Sequence, residues 1–291
     1  MAVPRGGGLA VVLVILAGFL YLSLLVNGDF LYIWPILAGV LLLAAVSWLD
    51  DLKNLHIKWR LPAQFIAVAA GLYAVHPMAG NFPVFIPLWL GIAALLVGWI
   101  WFINLYNFMD GIDGITGMES ISIAMGIAMV TVINYQLPQE IEFYASVIGA
   151  AALGFLLWNW PPARIFMGDV GSIPLGFILG WLLIEIALRG HWAEALLIPA
   201  YYLADSGYTI SKRLCEKKKI WQAHSEHFYQ QAVRGGKSHG KTVTMIIALN
   251  IILLGLAAAA GFYPMGKLLF LAIGYGLTAL LMLYFHRVVY E

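Results

Sequence analysis

Apolar runs close to 20 residues long, the length a helix needs to cross about 30 Å of hydrocarbon, recur along this chain and constrain its fold more than any other feature. Ten are read: Leu9 to Val26, Phe30 to Leu49, Leu61 to Val75, Val84 to Ile103, Ile115 to Tyr135, Ile141 to Trp158, Ile173 to Leu188, Ala193 to Ile210, Thr242 to Phe262 and Leu268 to Phe285. The third and seventh are short, and Pro77 and Pro83 suggest a tight turn after the third. With 62% of its 291 residues hydrophobic and 11% charged, a soluble globule would lack a polar shell. The expected fold class is therefore all-α, a polytopic membrane protein with about ten transmembrane helices in one domain over residues 1–291.

Basic residues orient these spans, because loops rich in Lys and Arg stay on the cytoplasmic side. An inside N-terminus puts every Lys and Arg on that side except Arg189 and Lys267. The single cysteine, Cys215, cannot form an internal disulfide and reads as an inert thiol. A net charge of +1 with no extended basic stripe argues against nucleic acid as a partner. Arg5 ahead of an apolar run resembles a signal peptide, but no convincing small-residue cleavage site precedes the next span.

Under this topology four polar clusters, "SWLDDLKN", "NLYNFMDGIDG", "RIFMGDVGS" and "AHSEHFYQQAVRGGKSHGK", meet at the cytoplasmic face. Asp50 and Asp51 close the second span, where the helix dipole is already negative. A divalent cation relieves that repulsion, and hard Mg²⁺ suits carboxylates without a Cys or His cage; a solvated helix end beside Lys53 is the simpler alternative. Asn104 and Asn107 share a helical face, and Asp110 and Asp113 repeat the i, i+3 spacing across Gly111 and Gly114, which let backbone approach a ligand. Asp113 could instead cap the fifth span. Asp169 precedes the seventh span, with Ser172 as its expected N-cap and free N–H groups there suited to phosphate. His224 and His227, at i, i+3 on one helical face, suit phosphate or nucleotide more than zinc, since no third ligand is evident nearby. Arg234, Lys237 and His239 follow them, and the positive-inside rule accounts for the basic pair equally well. Asp205 and Glu185 are the acids arguably within spans, and Asp205 is expected to pair with Lys212 or Arg213.

These clusters, with "VPRGGG" at Val3 to Gly8, closely resemble the polyprenyl-phosphate N-acetylhexosamine-1-phosphate transferases over nearly the whole chain. The resemblance implies transfer of N-acetylhexosamine 1-phosphate from a UDP-N-acetylhexosamine to undecaprenyl phosphate with release of UMP. It implies Mg²⁺, with Mn²⁺ as a substitute, near Asn107 and Asp169, and catalytic or metal-organising roles for Asp50 and Asp51. Asp110 and Asp113 would position the sugar nucleotide in the catalytic set. Asn104, Asn107, His224, His227, Arg234 and Lys237 would bind substrate. "AHSEH" is sparser in histidine than the peptidoglycan-precursor branch, so the chain looks like the branch that initiates O-antigen and related glycans from UDP-GlcNAc, UDP-QuiNAc or UDP-FucNAc. A bacterial inner-membrane location with a cytoplasmic active site follows, and a homodimer stays open. Members normally carry another helix before "PRGGG", so a truncated or misassigned start is expected here. The rival expectations are an ion or solute transporter, which would need ionisable groups spread to the midplane, and an inactive lipid-binding member.

Overall fold

The computed structural model describes residues 3–24, 30–75, 87–135, 137–219 and 224–287. The expected run limits at Val26 and Val84, together with the Pro77 and Pro83 turn, lie outside them. Among the described residues every regular element is helical, and a lone β-bridge joins Arg5 to Phe166. In chain order the helices are α1 (Gly7–Leu22), α2 (Phe30–Lys53), α3 (Ile57–Val75), α4 (Leu88–Phe108), α5 (Ile115–Ile133), α6 (Gln139–Asn159), α7 (Asp169–Ile186), α8 (Trp192–Leu197), α9 (Ala200–Cys215), α10 (Phe228–Arg234), α11 (His239–Phe262) and α12 (Lys267–Arg287).

Seven helical stretches among the described residues are long and apolar enough to cross a membrane, the longest being Asp169–Leu197. The third and seventh spans, expected short, are helices of 19 and 18 residues. Their polar first turns, with Lys58 and Arg60 in α3 and Asp169 in α7, belong to the helix although an apolarity count leaves them out. The eighth expected span is not one helix. Pro199 has no N–H to donate and crowds the preceding turn, so α8 ends at Leu197 and α9 begins at Ala200. Before that break the chain turns through Ala187–His191, where Gly190 sits at φ 96°.

Helix α7 is the axis of the assembly. It packs against α4, α2, α1 and α5, and nearly all of its residues are buried. Every span here is apolar, so burial is decided by size rather than by hydropathy: close approach between membrane helices needs small residues. A Cβ on Gly171 would lie 2.5 Å from Gly8 Cα of α1, and one on Gly176 would lie 3.1 Å from Ile103 Cα of α4. The backbones are in contact at both places.

The up-and-down order brings together the C-terminal ends of α2, α4, α6 and α9 and the N-terminal ends of α3, α5, α7 and α11. All four polar clusters therefore reach one end of the bundle. Arg189 and Lys267 lie at the other, as the charge asymmetry required.

Candidate active site

A polar cavity of about 350 Å³ opens at that end, lined among others by Asp51, Asn107, Asp110, Asp113, Asp169 and His239. All four sequence clusters thus contribute, carried by the ends of α2 and α4, the turn between α4 and α5, and the starts of α7 and α11, the fourth cluster through His239 alone.

The pair at the end of α2 divides its labour. Asp51 accepts from the backbone N–H groups of Asp169 at 3.1 Å and Val170 at 3.0 Å, so it caps α7 from another helix. Asp50 accepts from Leu55 N at 2.6 Å and ion-pairs with Arg60 at 2.8 Å. Arg60 also reaches Asp169 Oδ2 at 3.1 Å, tying the two acidic motifs together. Two sequence expectations are corrected here. The N-cap of α7 is Gly168, and Ser172 lies inside the helix, donating to Asn107 Oδ1 at 2.6 Å. The first free N–H groups of α7, expected to await phosphate, are taken by Asp51.

Helix α4 continues to Phe108, so Asn104 and Asn107 are both helical. Asn107 faces the cavity, whereas Asn104 forms a reciprocal amide pair with Gln64 of α3, at 2.7 and 3.3 Å, away from it. Asp110 accepts from Thr116 Oγ1 at 2.5 Å. Burial pushes its carboxyl up to about 6, the Thr116 hydrogen bond opposes that, and the charge of Asp51 adds to it. Asp113 does not cap α5, whose N-cap is Gly114 at φ 81°. Its carboxylate instead accepts from Ala163 N at 3.1 Å and meets His239 Nδ1 at 3.3 Å.

The histidine segment lies apart from this cavity. His224 and His227 precede α10 in extended backbone rather than sharing a helical face. Their rings stack 4.9 Å apart, and His227 is buried against Asp205 at 3.0 Å. Burial, with the charges of His227 and Arg213, holds His224 down at about 4. The expected pairing of Asp205 with Lys212 or Arg213 is replaced by this one, because the buried carboxylate lies under the start of α10 while Arg213 pairs with Glu226. Arg234 is exposed at the end of α10, and Lys237 donates to Tyr284 of α12 at 2.9 Å.

Arg60, Asn159 and Glu119 carry no motif that marks them in the sequence. Asn159 accepts from Gly114 N and donates to Ile165 O, each at 2.8 Å, clamping two loops of the cavity. Glu119 is a further acid within a span, buried in α5 and bonded to Asn250 of α11 at 2.7 Å. His239 stood only in a basic stretch, yet it lines the cavity while its two neighbours in that motif do not. Arg5 also lines it, placed there by Phe166 N donating to Pro4 O and Gly7 N to Phe166 O.

The cavity offers hard oxygen donors from separate helices, with Arg5 and Arg60 nearby to offset anionic charge. Among the described residues no three acidic, histidine or cysteine side chains are close enough to cage a metal ion. Such a donor set fits Mg²⁺ that takes one or two protein oxygens and completes its shell with water and substrate phosphate.

The family model for glycosyl transferase family 4 matches residues 33–187, more than half of the chain and every cavity acid. The chain is also 26% identical, over 86% of its length and 71% of the relative's, to the probable undecaprenyl-phosphate N-acetylglucosaminyl 1-phosphate transferase of Bacillus subtilis (strain 168). The histidine segment falls outside the family match.

Proposed function

The chain belongs to glycosyl transferase family 4, and on that premise we propose that it transfers N-acetylhexosamine 1-phosphate from a UDP-sugar to undecaprenyl phosphate, releasing UMP, on the cytoplasmic face of a bacterial inner membrane. The observation that carries this reading is the cavity itself, where Asp51, Asn107, Asp110, Asp113 and Asp169 meet at one end of a bundle of apolar helices. The printed name of the Bacillus subtilis relative supports the same chemistry.

Both substrates carry phosphate, so the site must offset like charge before any bond changes. Asp169 and Asn107 would hold Mg²⁺, which when bound supplies Lewis-acid stabilisation of the pyrophosphate. Arg5, at the cavity wall, adds a protein cation. In the reaction an oxygen of the lipid phosphate forms a bond to the phosphorus that bears the sugar, and the bond to UMP breaks with the electron pair leaving on UMP. The acceptor needs no general base, since a phosphate monoester with a second pKa of about 6 is largely dianionic at pH 7. Asp50 and Asp51 then act by holding Asp169 in place, through Arg60 and through the α7 backbone. Initiation of O-antigen or another envelope glycan is the proposed use of the product.

For the lipid side, an apolar groove of about 310 Å³ between α4, α7, α8 and α9, walled by Trp99, Trp101, Phe102 and Leu183 and reaching Ala187 and Trp192 toward the far end, would take a distal part of the isoprenoid chain.

Purified protein incubated with undecaprenyl phosphate, Mg²⁺ and UDP-GlcNAc, UDP-QuiNAc or UDP-FucNAc in turn is expected to release UMP with one donor above the others. Release of no UMP from any donor rejects the reading.

A further inference from the structure

Asp205 is fully buried in α9, and the proposed chemistry makes no use of it. A buried carboxylate is tolerated where donors saturate it, and here five do. Tyr201 Oη at 3.1 Å, Thr209 Oγ1 at 3.3 Å, His227 Nδ1 at 3.0 Å, Phe228 N at 3.1 Å and Tyr229 N at 3.3 Å all converge on it. The last three belong to the start of α10, so Asp205 fixes that turn to a membrane helix. The turn then reaches across to the cavity. Tyr229, also fully buried, donates its hydroxyl to Phe108 O at 3.1 Å, at the end of α4. The same hydroxyl presses on the glycine beside Asp110: a Cβ on Gly111 would lie 2.2 Å from Tyr229 Oη.

We propose that Asp205 and Tyr229 are a positioning pair for the acidic turn of the cavity, with Asp205 locking the start of α10 and Tyr229 holding Phe108 to Gly111, and thereby Asp110, in register with Asp51 and Asp169. Neither residue touches the cavity. Their contribution is to fix where the Asp110 carboxylate stands when the nucleotide sugar binds, and this kinetic part rests on the transferase reading above.

The packing supplies a test by rescue. Gly111→Ala drives a methyl into the Tyr229 hydroxyl and displaces the turn, and a displacement near 1 Å costs about 100-fold in turnover. Tyr229→Phe removes the colliding oxygen, leaving Gln230 Nε2 at 3.0 Å and Tyr229 Cζ at 3.1 Å as the next contacts. By itself it lowers kcat/KM for the UDP-sugar about three- to tenfold, the worth of one hydrogen bond, and leaves the KM for undecaprenyl phosphate unchanged. The double variant is expected to exceed Gly111→Ala by about tenfold or more, a non-additive result for residues in contact. Asp205→Asn, which loses the acceptor for Tyr229 N, gives the same donor-selective loss and adds less than about twofold when combined with Tyr229→Phe.

A double variant no better than Gly111→Ala overturns the proposal, as does a Tyr229→Phe enzyme whose two KM values rise together. If Gly111→Ala yields no folded protein, recovery of folded protein in the double variant is the same rescue, and its failure the same refutation. If the wild type releases no UMP, the transferase reading falls separately. Thermal unfolding of the four proteins then decides: the double variant melting above Gly111→Ala supports the pair, and melting at or below it rejects the pair.

Discussion

The two ends of the bundle both carry buried or half-buried acids, yet they are built to opposite purposes. At the far end Glu194 is fully buried and meets His191 at 2.9 Å and Lys267 at 3.4 Å, while Glu185 pairs with Arg189 at 3.5 Å and accepts from Trp181 at 3.2 Å. Lys267 also donates to Gly190 O at 2.7 Å, so the α7–α8 turn and the start of α12 are fastened together. Acid and base are matched there, and none of these residues lines the polar cavity. At the near end Asp51, Asp110, Asp113 and Asp169 face a shared cavity with Arg5 and Arg60 as the neighbouring guanidinium groups. The difference teaches that a buried acid does not mark a site by itself. Carboxylates in excess of their cations around open volume do, because that arrangement is incomplete until a cation or a ligand's charge arrives.

The comparison can be broken most directly at Asp169. Asp169→Asn is expected to lower UMP release by about 100- to 1000-fold, the scale of losing one preorganised group at a reacting centre, with the melting temperature nearly unchanged. A comparable loss of both would make the near end structural, like the far one. Next in size is Glu194→Ala. It strands His191 and Lys267 and should cost about 3 kcal/mol of stability, seen as a lower melting temperature, while turnover per folded molecule holds. A fall in turnover at constant stability would show that the far end takes part in the chemistry.

Asp51→Asn should have a smaller effect. An amide oxygen can replace one of the two α7 caps but not both, costing about 1 kcal/mol and lowering turnover about tenfold through the displaced Asp169. Raising the pH should not restore it; recovery at alkaline pH would make the aspartate pair a base. The smallest effect is a pH dependence at His224. Its folded pKa lies at about 4, below the ordinary 6.5. Above 6.5 both folded and unfolded chains hold the ring neutral and stability is flat with respect to this group. Between 6.5 and 4 the unfolded chain binds a proton that the folded one refuses, so stability falls as pH drops through that window. Melting curves at pH 7 and pH 5 should show a drop that His224→Gln lessens; an equal drop in both proteins would remove His224 as its source.

Much of the fold was legible because lipid and water partition residues so sharply that apolar run length alone locates α2, α5, α6, α11 and α12 within a few residues. Pro199 was not legible as a break. A proline inside a membrane helix is tolerated where neighbours satisfy the freed carbonyl, so the same letter fits a kink or an end. The centrality of α7 was hidden for a related reason: every span is apolar, and only the fit of Gly171 against Gly8 and Gly176 against Ile103 says which helix the others surround. In the candidate site the carboxylates stood out as charges in an apolar text. Arg60, Asn159 and His239 did not, since a basic residue or an amide at the end of a membrane helix is ordinary there.

Sequence by itself determined that the chain spans a membrane, that its four polar clusters gather at one end and which motifs carry them, because transfer free energy and charge asymmetry are properties of residues taken in order. Only the tertiary structure decided that Asp51 caps α7, that Arg60 bridges Asp50 and Asp169, and that the histidine segment turns inward onto Asp205. Those are contacts between residues far apart in the chain, and hydrogen-bond geometry selects among partners that composition leaves equivalent.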